Sequence, residues 1–118
     1  MLNENLPEKI KQSLTVNDSE IEFCLYNTRG RSGARCWEIK LLNDDGTRSI
    51  VVVRDFGVNI IKKVVEVNLF NNRIERNREI YRLYHEQGLS QVFLANLFNI
   101  SQPSVSLIVN GRGLTEKE

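Results

Sequence analysis

The sequence predicts an α+β chain: a small antiparallel three-stranded sheet with helices, followed by three further helices. Three observations predict it. Runs near 21–27 and 36–43 alternate apolar and polar residues with the two-residue period of a strand, and 48–55 is rich in β-branched residues. The segment NDDGT supplies turn chemistry between the second and third runs. Beyond residue 71 the apolar period lengthens, and Asn, Ser and Gly residues fall where helices start and stop.

The elements follow in order. Leu6, Ile10 and Leu14 recur at four-residue spacing around Pro7, which predicts a short N-terminal helix. In IEFCLYN, Ile21, Phe23 and Leu25 alternate with Glu22, Cys24 and Tyr26. In CWEIKLLN, Trp37, Ile39 and Leu41 oppose Cys36, Glu38 and Lys40, and RSIVVVRD adds a third, β-branched strand. A hairpin across 28–35 places Cys24 nearer Ile39 than Cys36. Such a sheet needs cover on one face. FGVNIIKKVVEVNLF is predicted as the covering helix, with Val58, Ile61, Val64, Val65 and Leu69 on one side and Lys62, Lys63 and Glu66 on the other. The β-branched residues of IIKKVV also fit a strand.

Asn71 or Asn72 caps the next helix, RIERNREIYRLYHEQ, whose apolar side is Ile74, Ile80, Tyr81, Leu83 and Tyr84 and whose stop is Gly88. The expected organisation is an α/β module over 1–70, a helical module over 71–113 and a frayed polar tail over 114–118.

Residues 91–111, QVFLANLFNISQPSVSLIVNG, carry the functional signal. Ser90 and Ser101 are N-caps, and Pro103 sits in a first turn, where its missing N–H costs little. Ala95 is small where two helices cross, and Asn99 stands where a tight turn demands positive φ. Leu94, Ala95, Phe98, Ile100, Val105 and Ile108 are the predicted buried set, and Gly111 ends the second helix. This is the spacing of a helix-turn-helix, whose second helix enters the DNA major groove. The same apolar spacing alone also fits any pair of packed helices.

Other chemistry finds little support. His85 is the single histidine, and Cys24 and Cys36 form no CxxC pair, so neither a zinc site nor nucleophilic catalysis is expected. Asp44 and Asp45 belong to a turn, and no cofactor loop is visible. The expectation is a non-enzyme without cofactors. Hydrophobic residues at 41% and charged residues at 26% are those of a folded chain. No apolar run approaches the roughly 20 residues of a membrane span, so no membrane partner is expected. The N-terminus is too polar for a signal peptide, which predicts a cytoplasmic protein.

The net charge of +1 means that attraction to phosphate must come from local arrangement. Arg76, Arg78 and Arg82 crowd RIERNREIYR and are candidate phosphate contacts, as is Arg112. Arg29, Arg31 and Arg35 lie in TRGRSGAR without an intervening acid, either as plain surface charge or as a DNA arm. Outward positions on the second helix, Gln102, Ser104, Ser106 and Leu107, are the candidate base readers.

Gln91 through Gly111 resembles the helix-turn-helix of phage repressors, Cro-like proteins and their bacterial relatives. The resemblance rests on Gln91 and Gln102 opening the two helices, on Ala95, and on the closing Asn110 and Gly111. It implies that Gln91 bonds a phosphate and braces Gln102, that Gln102 reads an adenine edge, and that Asn110 contacts backbone phosphate. Pro103 departs from the small polar residue usual in that family. The three-helix outline is closer to the DNA-binding ends of invertases, resolvases and sigma factors. The functional expectation is a small sequence-specific DNA-binding regulator acting as a homodimer. The alternatives are a protein-interaction module on a helix-turn-helix scaffold, or an architectural or recombination accessory factor.

Overall fold

A computed structural model describes residues 20–29 and 34–116, with the backbone alone at 27–29. The expected N-terminal helix and Arg31 lie outside the described residues. The chain divides into two compact units, Met1–Glu66 and Val67–Glu118. The architecture is α+β.

The first unit contains a four-stranded antiparallel meander, β1 (Glu20–Arg29), β2 (Ala34–Leu42), β3 (Arg48–Asp55) and β4 (Ile60–Val65), in that spatial order. Trp37, Ile39, Leu41, Val51 and Val53 form one buried cluster, each at most 5% exposed. Cys36 and Glu38 are also fully buried, so the middle of β2 is covered on both faces.

The alternation expected in β1 is broken. The register shifts between Ile21, opposite Leu41, and Phe23, opposite Lys40, which leaves Glu22 as the extra residue of a β-bulge. A one-residue insertion exchanges faces. Beyond it Cys24 pairs with Ile39 and Tyr26 with Trp37, so these two, rather than Phe23 and Leu25, pack against the central cluster. Tyr26 and Trp37 stack with ring centroids 5.2 Å apart. Burial pushes the Cys24 thiol up to about 11, so it stays protonated at neutral pH.

Glu22 uses its bulged position to gather cations from the two following strands. It accepts from Arg48 Nε at 2.8 Å and Nη2 at 3.1 Å, and pairs with Lys40 at 3.3 Å. The Arg48 hydrogen bond is the main cause that holds its carboxyl below the usual value. Asp45 stabilises the β2–β3 turn by accepting from Thr47 N at 2.9 Å and Oγ1 at 2.5 Å, beside Gly46 at φ +88°.

The covering helix expected over 56–70 does not form. Residues 60–65 are strand β4, which gives the sheet four strands rather than three. Two local causes favour this outcome. Four of the six residues of IIKKVV are β-branched and lose rotamer freedom in a helix. Gly57 at φ +86° and a 2.9 Å bond from Phe56 N–H to Asn59 C=O then turn the chain back on β3.

The second unit contains α1 (Arg73–His85), α2 (Gln91–Phe98) and α3 (Gln102–Val109). Asn72 caps α1 by accepting from Glu75 N at 2.9 Å, and Glu75 accepts from Asn71 N at 3.0 Å. Gly88 follows at φ +74°. Ile80 and Leu83 are fully buried, whereas Tyr81, expected on the apolar side, is exposed. Among the described residues no single helix is long and apolar enough to cross a membrane.

Candidate functional site

The site is built on α2, α3 and the turn between them. Ser90 starts α2 by accepting from Phe93 N at 3.2 Å, which aims Phe93 and Leu94 into full burial. Asn99 ends it in the left-handed region, at φ 56° and ψ 48°. Ile100 N–H returns to Ala95 C=O at 3.1 Å and Asn99 N–H to Asn96 C=O at 3.3 Å, the two bonds of a Schellman motif. Ser101 then caps α3, accepting from Ser104 N at 3.2 Å. The break between the helices is three residues, Asn99 to Ser101, and the axis bends by 113° across it.

α3 separates its faces cleanly. Val105, Ile108 and Val109 are buried, Ser106 is half-buried, and Gln102, Pro103, Ser104, Asn110 and Arg112 are exposed. Leu107 is 55% exposed and shares the open face. The helix closes on a second Schellman motif, with Gly111 N–H on Ile108 C=O at 2.9 Å and Arg112 N–H on Leu107 C=O at 2.9 Å. A Cβ at Gly111 would meet nothing within 4 Å, so its φ of +105°, not crowding, calls for glycine there.

α1 fixes the C-terminal end of α3 through three hydrogen bonds. His85 Nε2 donates to Val109 C=O at 2.8 Å, Asn77 Nδ2 to Gly113 C=O at 3.0 Å, and Arg78 Nε to Leu114 C=O at 2.8 Å. The expected fraying therefore does not begin at 114, because Leu114 is half-buried and tied. Asn77, 5% exposed, was missed by the sequence reading, as were buried Phe93, Leu89 and Val109. The available signal for Asn77 was a polar residue three before Ile80, on the apolar stripe. Ala95, Phe98 and Ile100, expected in the core, are only half-buried. Phe98 instead stacks on Phe70 at 5.9 Å.

The arginines divide by partner. Arg76 donates to the neutral Asn77 Oδ1 at 2.9 and 3.2 Å, and Arg78 to a backbone carbonyl, so their hydrogen bonds leave the positive charge uncompensated. Arg82 binds Glu79 through Nε at 2.9 Å and Nη2 at 2.6 Å, which cancels its charge. Burial works to raise the Glu79 carboxyl, but Arg82 and the Asn68 N–H, at 2.6 Å, together hold it below its ordinary value. The Glu79 hydrogen bond likewise raises Arg82. Arg35 is not on a loop. It lies in β2, bonded to Asp55 and 5.1 Å above the Trp37 ring, and its hydrogen bond is the main cause that lowers Asp55. The backbone of Arg29 ends β1.

Along α2 and α3 themselves the sequence carries no acidic residue. Between Glu86 and Glu116 the sequence has no Asp or Glu, and Arg112 is its one arginine there. Gln91 is half-buried at the start of α2. Ser104 Oγ shares a hydrogen with Ser101 Oγ at 2.8 Å, and Asn110 Nδ2 donates to Ser106 C=O at 2.8 Å, which holds both side chains at the helix surface. A groove lined by Arg73, Arg78, Glu75 and Glu116 at the start of α1 mixes both signs and favours neither cation nor anion. Among the described residues no three His, Cys, Asp or Glu side chains are placed to hold a metal ion. Comparison with protein-family models, characterised proteins and solved structures gives no match.

Proposed function

We propose that this chain is a sequence-specific double-stranded DNA-binding protein, a small transcriptional regulator, that reads the major groove with α3. One observation carries the reading: two short helices bent by 113° over a three-residue turn, the second with an open face of short polar side chains. That crossing lies in the range of the helix-turn-helix. Short side chains let the helix approach base edges, and α2 and α3 themselves carry no acid to repel phosphate.

In this role Gln102 bonds a base edge through its amide, Ser104 and Ser106 offer hydroxyls, and Leu107 packs on a thymine methyl. Arg76, Arg78 and Arg112 meet phosphates with uncompensated charge, joined by Gln91 and Asn110 as neutral donors. Arg82 supports the unit through Glu79 instead. One short recognition helix reads few bases, so two copies of the chain present two such helices about 34 Å apart on a two-fold symmetric site. The sheet-bearing unit supplies the surface that joins them.

Selection of bound fragments from a random DNA pool tests the reading directly. A two-fold symmetric consensus is expected. Replacing both Gln102→Ala and Ser106→Ala is expected to lower affinity for that consensus by about 10- to 100-fold while affinity for random DNA changes little. Absence of DNA binding in a gel shift at low salt, where the phosphate contribution is greatest, would sink the proposal.

A further inference from the structure

The open side of α3 carries two rows of side chains rather than one. Residues four apart stand one above the other on a helix, so Gln102 and Ser106 form a polar row and Pro103 and Leu107 an apolar row beside it. Gln102 and Pro103 are exposed and Ser106 is half-buried. Leu107 leaves 55% of its surface in water, although Val105, Ile108 and Val109 of the same helix are buried. From Gln102 to Val109 there is no charged residue, and the next one, Arg112, follows Gly111 beyond the helix. We infer that α3 selects A·T pairs in its half-site, with Pro103 and Leu107 packed on thymine methyls and Gln102 on an adenine edge. The inference rests on the DNA reading above and names the class of site that α3 takes.

Base-edge chemistry selects this occupant. In the major groove an A·T pair presents the adenine ring nitrogen and amino group beside the thymine carbonyl and methyl, a polar edge next to an apolar one. Gln102 supplies both the donor and the acceptor that adenine requires, and the Pro103–Leu107 row supplies carbon for the methyl. Guanine is read best by Arg or Lys, and the cytosine amino group by a carboxylate; α3 holds neither. Apolar side chains set against that amino group would strip its water and return no hydrogen bond. Ser106 suits either pair, because a hydroxyl both donates and accepts. Pro103 stands in the first turn of α3, where its ring displaces no helical hydrogen bond, and Ser101 caps that turn through Ser104 N at 3.2 Å. The ring is thus held in place, and it loses almost no side-chain entropy when it meets a methyl.

Selection of a random double-stranded DNA pool on the full-length chain, followed by anisotropy titrations of the selected duplex, tests the inference. A·T pairs are expected at the central positions of each half-site. Uracil in place of thymine removes only the methyl, and each such replacement at a contacted pair is expected to weaken binding about fourfold. Leu107→Ala keeps a good helix former at an exposed position and is expected to bind the thymine and uracil duplexes alike at one of those pairs. Pro103→Ser is expected to do the same at another. A merely structural role would lower affinity for both duplexes and leave their ratio unchanged. Circular dichroism verifies that each variant folds, and Pro103→Ala replaces Pro103→Ser if the latter does not. A hypoxanthine·cytosine pair resembles G·C in the major groove and A·T in the minor groove. Put in place of a central A·T pair, it is expected to weaken binding about tenfold or more.

A consensus with G·C at the central positions would overturn the inference and leave α3 as the DNA-reading helix. Uracil duplexes that bind as well as thymine duplexes would overturn it, as would a thymine preference that survives in both the Leu107 and the Pro103 variants. Full binding to the hypoxanthine·cytosine duplex would overturn it as well, by placing selection in the width or stiffness of the minor groove. A chain that retains no duplex from the pool at low salt removes the DNA reading itself, and this inference with it.

Discussion

α3 and β4 both turn a side to solvent, and they do so with opposite chemistry. α3 shows Gln102, Ser104 and Asn110 and seals its other side with Val105, Ile108 and Val109. β4 shows Ile60, Ile61 and Val64 and buries only Val65. The helix is therefore held by its own unit whether or not a ligand is present, and its open groups can exchange water for polar partners at small cost. The strand leaves apolar area in water that association would remove. Exposure alone does not identify a binding surface; the chemistry of the exposed atoms and the rigidity beneath them do.

The largest expected effect comes from removing the support under α2 and α3. Phe93→Ala empties a fully buried position and is expected to cost about 3–5 kcal/mol of stability. Denaturant unfolding measures that loss, and the proposed DNA binding should fall with it while the proposed dimer of the sheet unit persists. If the dimer dissociates in step, the two surfaces do not behave as separate elements.

Next in size is the Arg82–Glu79 pair. Arg82→Ala leaves a carboxylate that is 6% exposed without its cation, at an expected cost of about 1–3 kcal/mol. The pair also fixes a pH dependence. Because the Glu79 carboxyl lies below its ordinary 4.5 in the folded chain, its contribution is complete above about that pH and is lost as pH falls through the lowered value. Acid titration of stability should show a shallower loss below pH ~4.5 in Glu79→Gln than in the unaltered chain.

A smaller change tests the turn. Asn99 adopts φ 56°, which glycine reaches without strain, so Asn99→Gly should be neutral or stabilising by up to ~1 kcal/mol, while Asn99→Ala should destabilise by about 1 kcal/mol. Thermal melts of both decide the matter, and equal melting temperatures would remove the special role of that turn.

The subtlest difference separates two arginines of one helix. Arg76→Ala should reduce the salt-dependence slope of DNA binding by about one and weaken specific and random sites alike. Arg82→Ala should leave that slope unchanged while lowering stability. The reverse result would mean that the partner of an arginine does not decide its availability to phosphate.

Much of this contrast was legible in the residues. Ser90, Ser101, Asn99 and Gly111 announce the ends of α2 and α3 because each serves the backbone within a turn or two of its own position. The division of the arginines was not legible. Arg76, Arg78 and Arg82 look alike in RIERNREIYR, and only their contacts show that one is neutralised. β4 was misread because lysine pairs and β-branched residues fit both periods over so short a run, and sheet pairing settled it.

The sequence by itself determined the capped helix pair, the small polar face of α3 and the strand character of 21–27, 36–43 and 48–55, since caps, turns and periods act over a few residues. Tertiary structure alone decided three further matters. The bulge at Glu22 set which face of β1 meets Trp37, Asn77 and Arg78 anchored the chain beyond α3, and pairing with β3 made 60–65 a strand. The first two depend on partners remote in sequence, of which local propensity carries no record, and the third on a hairpin partner that decides between two periods the short β-branched run fits equally.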